Sequence, residues 1–225
     1  MIYFRNLLYN IVKYVSKSGV SMNINTTYTK IITGEDLMET AQHGSTLYPF
    51  QFYYEDLSVF DFNCIEWHWH TELEFIYIES GTVTLWIGED QFHLTEGNGI
   101  FINTKVLHRL YSPSKALIPN FVFMPSFIAP CDSLIYQKYI LPIISSSLPF
   151  LVFHKKVCWQ AKVLSIMRQI ISAQDSVLSK ELLTSSLLQN LWLEIFENTD
   201  ISYQEEHKDH STASQARLQL MLQFI

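Results

Sequence analysis

The stretch Trp67-His68-Trp69-His70-Thr71-Glu72-Leu73-Glu74-Phe75-Ile76-Tyr77 closes one apolar, aromatic-rich run and opens the next. Side chains alternate across a strand, so His68 and His70 point to the same side, and Glu74, beyond a turn, can meet them there. His108 lies a few such runs later. Three imidazoles and a carboxylate suit iron, zinc, manganese or nickel and leave positions open for water or a substrate. The alternative is a hydrogen-bonded polar cluster in which each imidazole is satisfied by a neighbour.

Outward from that stretch, residues 50–127 read as short strands rich in Ile, Val, Phe, Tyr, Trp and Thr, broken by turn residues at short intervals. Residues 82–87 alternate Thr82, Thr84 and Trp86 with Val83, Leu85 and Ile87, and Gly88-Glu89-Asp90 offers a tight reversal into 91–94. Gly97-Asn98-Gly99 marks the next turn, followed by strands over 100–102, 106–111 and 116–123. This rhythm predicts a sandwich or barrel. Trp67, Trp69 and Trp86 are expected to pack within it.

Past Pro130 the spacing turns helical, with a short helix near 132–140 and a break at Pro142 and Pro149. Trp159, Val163, Ile166, Met167, Ile170 and Ile171 form one face of the next helix. A further helix near 177–197 carries Leu183, Leu187, Leu191 and Ile195 on one ridge and Leu188, Trp192 and Phe196 on the next. So wide a stripe wants more than one partner, either the barrel and the preceding helix or a second subunit. Leu183, Leu187, Leu188, Leu191, Trp192 and Ile195 are therefore the dimerisation candidates.

The ends are less regular. Residues 1–20 place Phe4, Leu7, Leu8, Ile11, Val12 and Val15 at helical spacing, interrupted by Asn6, Asn10 and Lys13, which predicts an amphipathic helix over a secretory signal. Met22 is a second potential start, which would make 1–21 an upstream extension. Residues 198–212 read as a polar linker, and Leu218, Met221, Leu222 and Ile225 begin another helical stripe on which the sequence stops.

A net charge of -7 leaves no general field to attract nucleic acid or anionic lipid. No apolar run approaches the roughly 18–20 residues of a membrane span. Cys64, Cys131 and Cys158 are far apart with no C-x-x-C, which fits a reducing cytoplasm and core positions better than a disulfide framework. His43, His93, His154, His207 and His210 have no partner spacing and are expected on the surface or in turns.

The pattern His68-x-His70-x3-Glu74-x6-Gly81 resembles the first cupin motif, and Gly97 with His108 resembles the second; Phe62, Asn103 and Lys105 stand where those motifs usually carry Gly, Pro and Gly. More narrowly, the run from Trp67 to Tyr77, then Gly81, Leu94-Thr95-Glu96-Gly97, Phe101-Ile102-Asn103 and His108, resembles the N-terminal sensor domain of AraC-type transcription regulators. The helices at 157–197 resemble that family's dimerising pair, and Arg217-Leu218-Gln219-Leu220-Met221-Leu222-Gln223-Phe224-Ile225 the first helix of its DNA-binding half.

The resemblance implies a mainly β fold, a cupin-like β-barrel (jelly roll) followed by a helical dimerisation hairpin. Its parts would be an arm at 1–44, the barrel at 45–130, the dimerisation segment at 131–198, a linker at 199–212 and the start of a truncated DNA-binding domain at 213–225. It further implies a cytoplasmic, effector-sensing module without its own complete DNA-binding unit, binding a small molecule near His68, His70, Glu74 and His108. Its partner would be a second copy or a full-length regulator, with no direct nucleic-acid or membrane contact. No cofactor is required, though a divalent metal is what those four residues would hold. The rival reading is a metal-dependent cupin enzyme, an oxygenase or isomerase.

Overall fold

The computed structural model describes residues 28–199 and, upstream, the backbone of two strands, β1 (Val12–Val15) and β2 (Ser21–Ile24). These pair antiparallel, Val12 opposite Ile24, so part of the expected amphipathic helix is strand instead. Val12 and Val15 are β-branched and Tyr14 aromatic, residues that suit a pleated ribbon better than a helix. The linker at 200–212, the final helical stripe at 213–225, His207 and His210 lie outside the described residues.

The barrel strands follow in order: β3 (Phe50–Asp56), β4 (Cys64–His68), β5 (Leu73–Tyr77), β6 (Thr82–Ile87), β7 (Asp90–Thr95), β8 (Gly99–Ile102), β9 (His108–Tyr111) and β10 (Leu117–Phe123). After them come a short helix α1 (Leu141–Ile144), entered through a π-helical turn at Tyr136–Ile140, then β11 (Phe150–Phe153), α2 (Cys158–Ala173) and α3 (Lys180–Asn198). The strands form two antiparallel sheets, a five-stranded one in the order β11-β8-β5-β10-β3 and a four-stranded one in the order β4-β9-β6-β7.

Alternation sorts the five-stranded sheet into two buried faces. Ile76, Ile100, Ile102 and Ile118 turn inward and meet Leu85, Ile87, Leu94 and Leu110 in the barrel core. Phe75, Phe101, Phe121 and Phe123 turn outward into a second core beneath α2 and α3, where Trp192 meets Phe101 edge-on at 5.9 Å between ring centroids. A sheet covered on both faces has apolar residues at nearly every position, which is why β8 and β10 are buried throughout. A Cβ on Gly99 would come within 3.0 Å of a Leu164 methyl, so a glycine lets α2 lie close on the sheet.

Several expectations change. The barrel does not end near residue 130: β11 joins the five-stranded sheet beyond the helical segment, pairing Phe150 with Ile102 and Phe153 with Gly99. A four-residue apolar run after Pro149 has too little length for its period to separate helix from strand. The helical segment also runs through Pro142, which sits in the first turn of α1, where its missing N–H costs little. Among the dimerisation candidates, Leu188, Leu191, Trp192 and Ile195 are buried in the chain's own core, while Leu183 is 41% exposed and Leu187 half-buried. Cys64 is buried, but Cys131 and Cys158 are exposed near the starts of helical segments, and all three thiols are free. No described helix is long and apolar enough to cross a membrane.

Candidate functional site

The four sequence-predicted site residues come together inside the barrel. β4 and β9 are paired so that His68 lies opposite His108, after a register shift between Ile65 and His68 that re-aims the end of β4. Their rings stand 4.1 Å apart between centroids. His70 follows just beyond β4, 5.4 Å from the His108 ring, and Glu74 enters from β5 of the facing sheet, where the alternation that turns Leu73 and Phe75 outward turns it inward. Glu74 Oε2 is 3.1 Å from His108 Nε2 and 3.4 Å from His70 Nε2. One ligand atom from each of His68, His70 and His108 lies within 4.8 Å of the others.

The far side of each ring fixes what the near side offers. Nδ1 of His68 is 2.8 Å from the Glu66 carbonyl, Nδ1 of His108 is 2.8 Å from that of Val106, and Nδ1 of His70 is 3.2 Å from that of Glu72. A carbonyl only accepts, so each Nδ1 carries a proton and each Nε2 is turned to the cavity, that of His70 lying 3.4 Å from Glu74 Oε2. His108 Nε2 is buried and finds no hydrogen-bond partner, since Glu74 Oε2 is close but out of line. Burial, with His108 and His70 alongside, holds His68 well below the usual imidazole range, so it is neutral. Burial opposes charge on Glu74, but His108 and His70 hold its carboxyl well below the usual range, so it is ionised. Three ring nitrogens gathered beside a carboxylate make a metal-type donor set, and the Nδ1 tethers are the outer contacts a metal site uses. The residues therefore fit a divalent cation.

The opposite wall was not foreseen from the sequence. β3 turns Tyr53 and Glu55 inward beside Asn120 of β10, and residues 28–43 cross the opening with Tyr28, Glu39 and His43. Fully buried Glu55 accepts from Tyr28 Oη at 2.6 Å and from Asn120 Nδ2 at 3.0 Å. Burial pushes its carboxyl up to about 7 against the pull of both donors. His43, expected at the surface, is buried, with Nδ1 2.9 Å from Tyr53 Oη, Nε2 3.3 Å from Glu39 and its ring edge-on to His70 at 5.5 Å. Burial opposes charge on His43, but Glu39 raises its pKa above the usual value. Between the walls lies a cavity of about 30 Å³.

The turns explain the departures from the cupin motifs. Phe62 and Lys105 both adopt left-handed backbone, φ 58° and 60°, the conformation glycine takes without strain. Asn103 is buried and uses its amide to hold the loop before β11, donating to the carbonyls of Ile143 at 3.1 Å and Leu148 at 2.8 Å. Trp86 lies under the Arg109 guanidinium, 5.0 Å from its centroid, and Trp69 donates to the Asp36 carbonyl, so both serve packing.

Residues 51–192 match the family described as AraC-like ligand binding domain. The chain belongs to that family. It is 23% identical over 199 residues to a protein of Bacillus subtilis (strain 168) named uncharacterized HTH-type transcriptional regulator YdeC, covering 86% of this chain and 66% of that protein. The AraC-like domain also has solved structural neighbours. Apo ToxT K231A from Vibrio cholerae strain SCE256 is similar at 11% identity and TM-score 0.47, over 70% of this chain and 58% of that one. A cupin-2 domain protein from Shewanella frigidimarina NCIMB 400 is similar at 20% identity and TM-score 0.30, over 36% and 81%.

Proposed function

We propose that this chain is the sensing half of an AraC-type regulator, taking a small ligand in its barrel at His68, His70, Glu74 and His108. The observation that carries the reading is the inward cluster with an orphaned, buried His108 Nε2, in a domain whose family is defined by ligand binding. A divalent cation held by the four would supply a Lewis-acidic anchor. The chain's own residues present lone pairs, exclude water with the surrounding Ile and Leu side chains, and couple the site to residues 28–43 through the His43–His70 contact.

The sensor pairs with a second copy, or with a full-length regulator, through the exposed edge of α2 and α3 at Leu183 and Leu187 and not through the ridge already spent on the barrel. Ligand binding then shifts the balance between two arrangements of the pair, and DNA contact comes from the helix-turn-helix unit of the regulator, in the cytoplasm. Light scattering on the purified chain, with melting temperatures measured against divalent metals and small polar compounds, tests the proposal. A ligand-stabilised dimer is expected; a monomer at high concentration that no compound stabilises would contradict it.

A further inference from the structure

We propose that the outer face of α3 at Leu193 and Phe196, with Ile135 and Tyr139 beside it, seats residues 213–225, the segment that resembles the first helix of the DNA-binding half. The inference rests on the sensor reading and adds the surface through which the sensor holds the half it controls.

α3 carries more apolar surface than the barrel uses. Leu188, Leu191, Trp192 and Ile195 are buried in the chain's own core, and Leu183 and Leu187 line the groove against α2. Leu193 belongs to neither set. It stands about 120° round the helix from Leu187, at about 100° per residue, and is 49% exposed. Phe196, one turn on, meets the Tyr139 ring edge-on at 5.1 Å, and the Tyr139 carbonyl accepts from Trp192 Nε1 at 2.8 Å. Ile135, one turn before Tyr139, is 56% exposed. Two helical segments thus join in one apolar face that the described residues leave open.

Residues 213–225 supply what such a face takes. Leu218, Met221, Leu222 and Ile225 share one helical stripe, and a helix this short is stable only when its stripe is buried. The chain leaves α3 at Asn198, beside Phe196, and residues 200–212 reach well beyond the roughly 8–10 Å between packed helix axes. Arg217, the segment's only charged side chain, pairs with exposed Glu197. An antiparallel return from that pair puts Met221 opposite Leu193 and ends Ile225 at Gln189, about 12 Å along at about 1.5 Å per residue. The tether holds the segment at an effective concentration on the order of millimolar, far above that of a second copy in dilute solution. α3 then carries the pairing groove on one side and the DNA-binding half on another, so a change in pairing moves that half.

The test uses the full chain with exposed Cys131 and Cys158 changed to Ser, and with Leu193→Cys combined with Met221→Cys. The control combines Leu182→Cys with Met221→Cys; Leu182 is 77% exposed and lies roughly 16 Å along α3 from Leu193. Oxidation at micromolar dilution is read by non-reducing electrophoresis and peptide mass. The first pair should close within one chain about tenfold faster than the control or more. Glu197→Arg should slow it about threefold, and Arg217→Glu added to that variant should restore it.

Equal rates for the two pairs, a disulfide that joins two chains, or a double charge reversal slower than Glu197→Arg alone overturns the inference. Each leaves the sensor reading standing in a chain that still pairs and is stabilised by a ligand. A chain that does neither fails that reading whatever the cross-link shows.

Discussion

His108 Nε2 and Glu74 Oε2 face each other at 3.1 Å across the gap between the two sheets, buried and out of hydrogen-bonding line. With His108 Nδ1 donating to the Val106 carbonyl, Nε2 and the carboxylate oxygen are turned to one small space, the placement two ligand atoms take around a cation. The sensor's chemistry is concentrated there.

Glu55 gives the fold a pH dependence of opposite sign to ordinary acid unfolding. Its carboxyl rises from 4.5 to about 7 on folding, so between those values the folded chain holds the proton that the unfolded chain has lost. Stability from this group is intact below pH 4.5, falls as pH rises and is fully lost above about 7. Glu55→Gln removes that loss. In urea titrations its stability relative to wild type should be more favourable at pH 8 than at pH 4 by on the order of 3 kcal/mol.

Phe62 and Lys105 hold turns in a conformation that costs an ordinary residue roughly 1–2 kcal/mol, part of which glycine returns as unfolded-state entropy. Phe62 is 90% exposed, so little packing is lost on truncation. Phe62→Gly and Lys105→Gly should each stabilise by about 0.5–1 kcal/mol in chemical denaturation; a loss of stability would show that the side chains contribute more than the strain.

Asn103→Ala should be costly. It strands the carbonyl of Leu148, removes one of the donors to that of Ile143, which keeps Ser146, and loosens the loop that delivers β11, a loss of about 1–3 kcal/mol by urea denaturation.

The helical ridges separate by substitution. Leu188→Asp buries an unpaired charge and should leave no folded chain, whereas Leu183→Asp should fold normally and shift a dimer to monomer in light scattering. A Leu183→Asp dimer as tight as wild type would move the interface elsewhere.

His68, His70 and Glu74 were legible because they are local: a spacing of two on a strand and a lone acid in an apolar run fix their facing without knowledge of the rest. His108 followed from the motif resemblance. Glu55 and Tyr53 were not legible, because Phe50-Gln51-Phe52-Tyr53-Tyr54-Glu55 places aromatics on both faces; Tyr54 points outward to Glu79 and Tyr53 inward to His43, a choice made by the helices that cover the sheet. His43, far from any spacing signal, reaches the site only because residues 28–43 fold back over the barrel. Leu188 and Trp192 misled for the converse reason, since a core ridge and a subunit ridge share one helical period.

Absorption spectroscopy of the chelator-stripped chain titrated with cobalt tests the central claim most directly, because cobalt's visible bands report nitrogen and oxygen donors around the ion. A visible spectrum that saturates at one equivalent per chain and is lost in His108→Ala is expected. A stripped, folded chain that develops no bands, or one whose bands survive in His108→Ala, would contradict it.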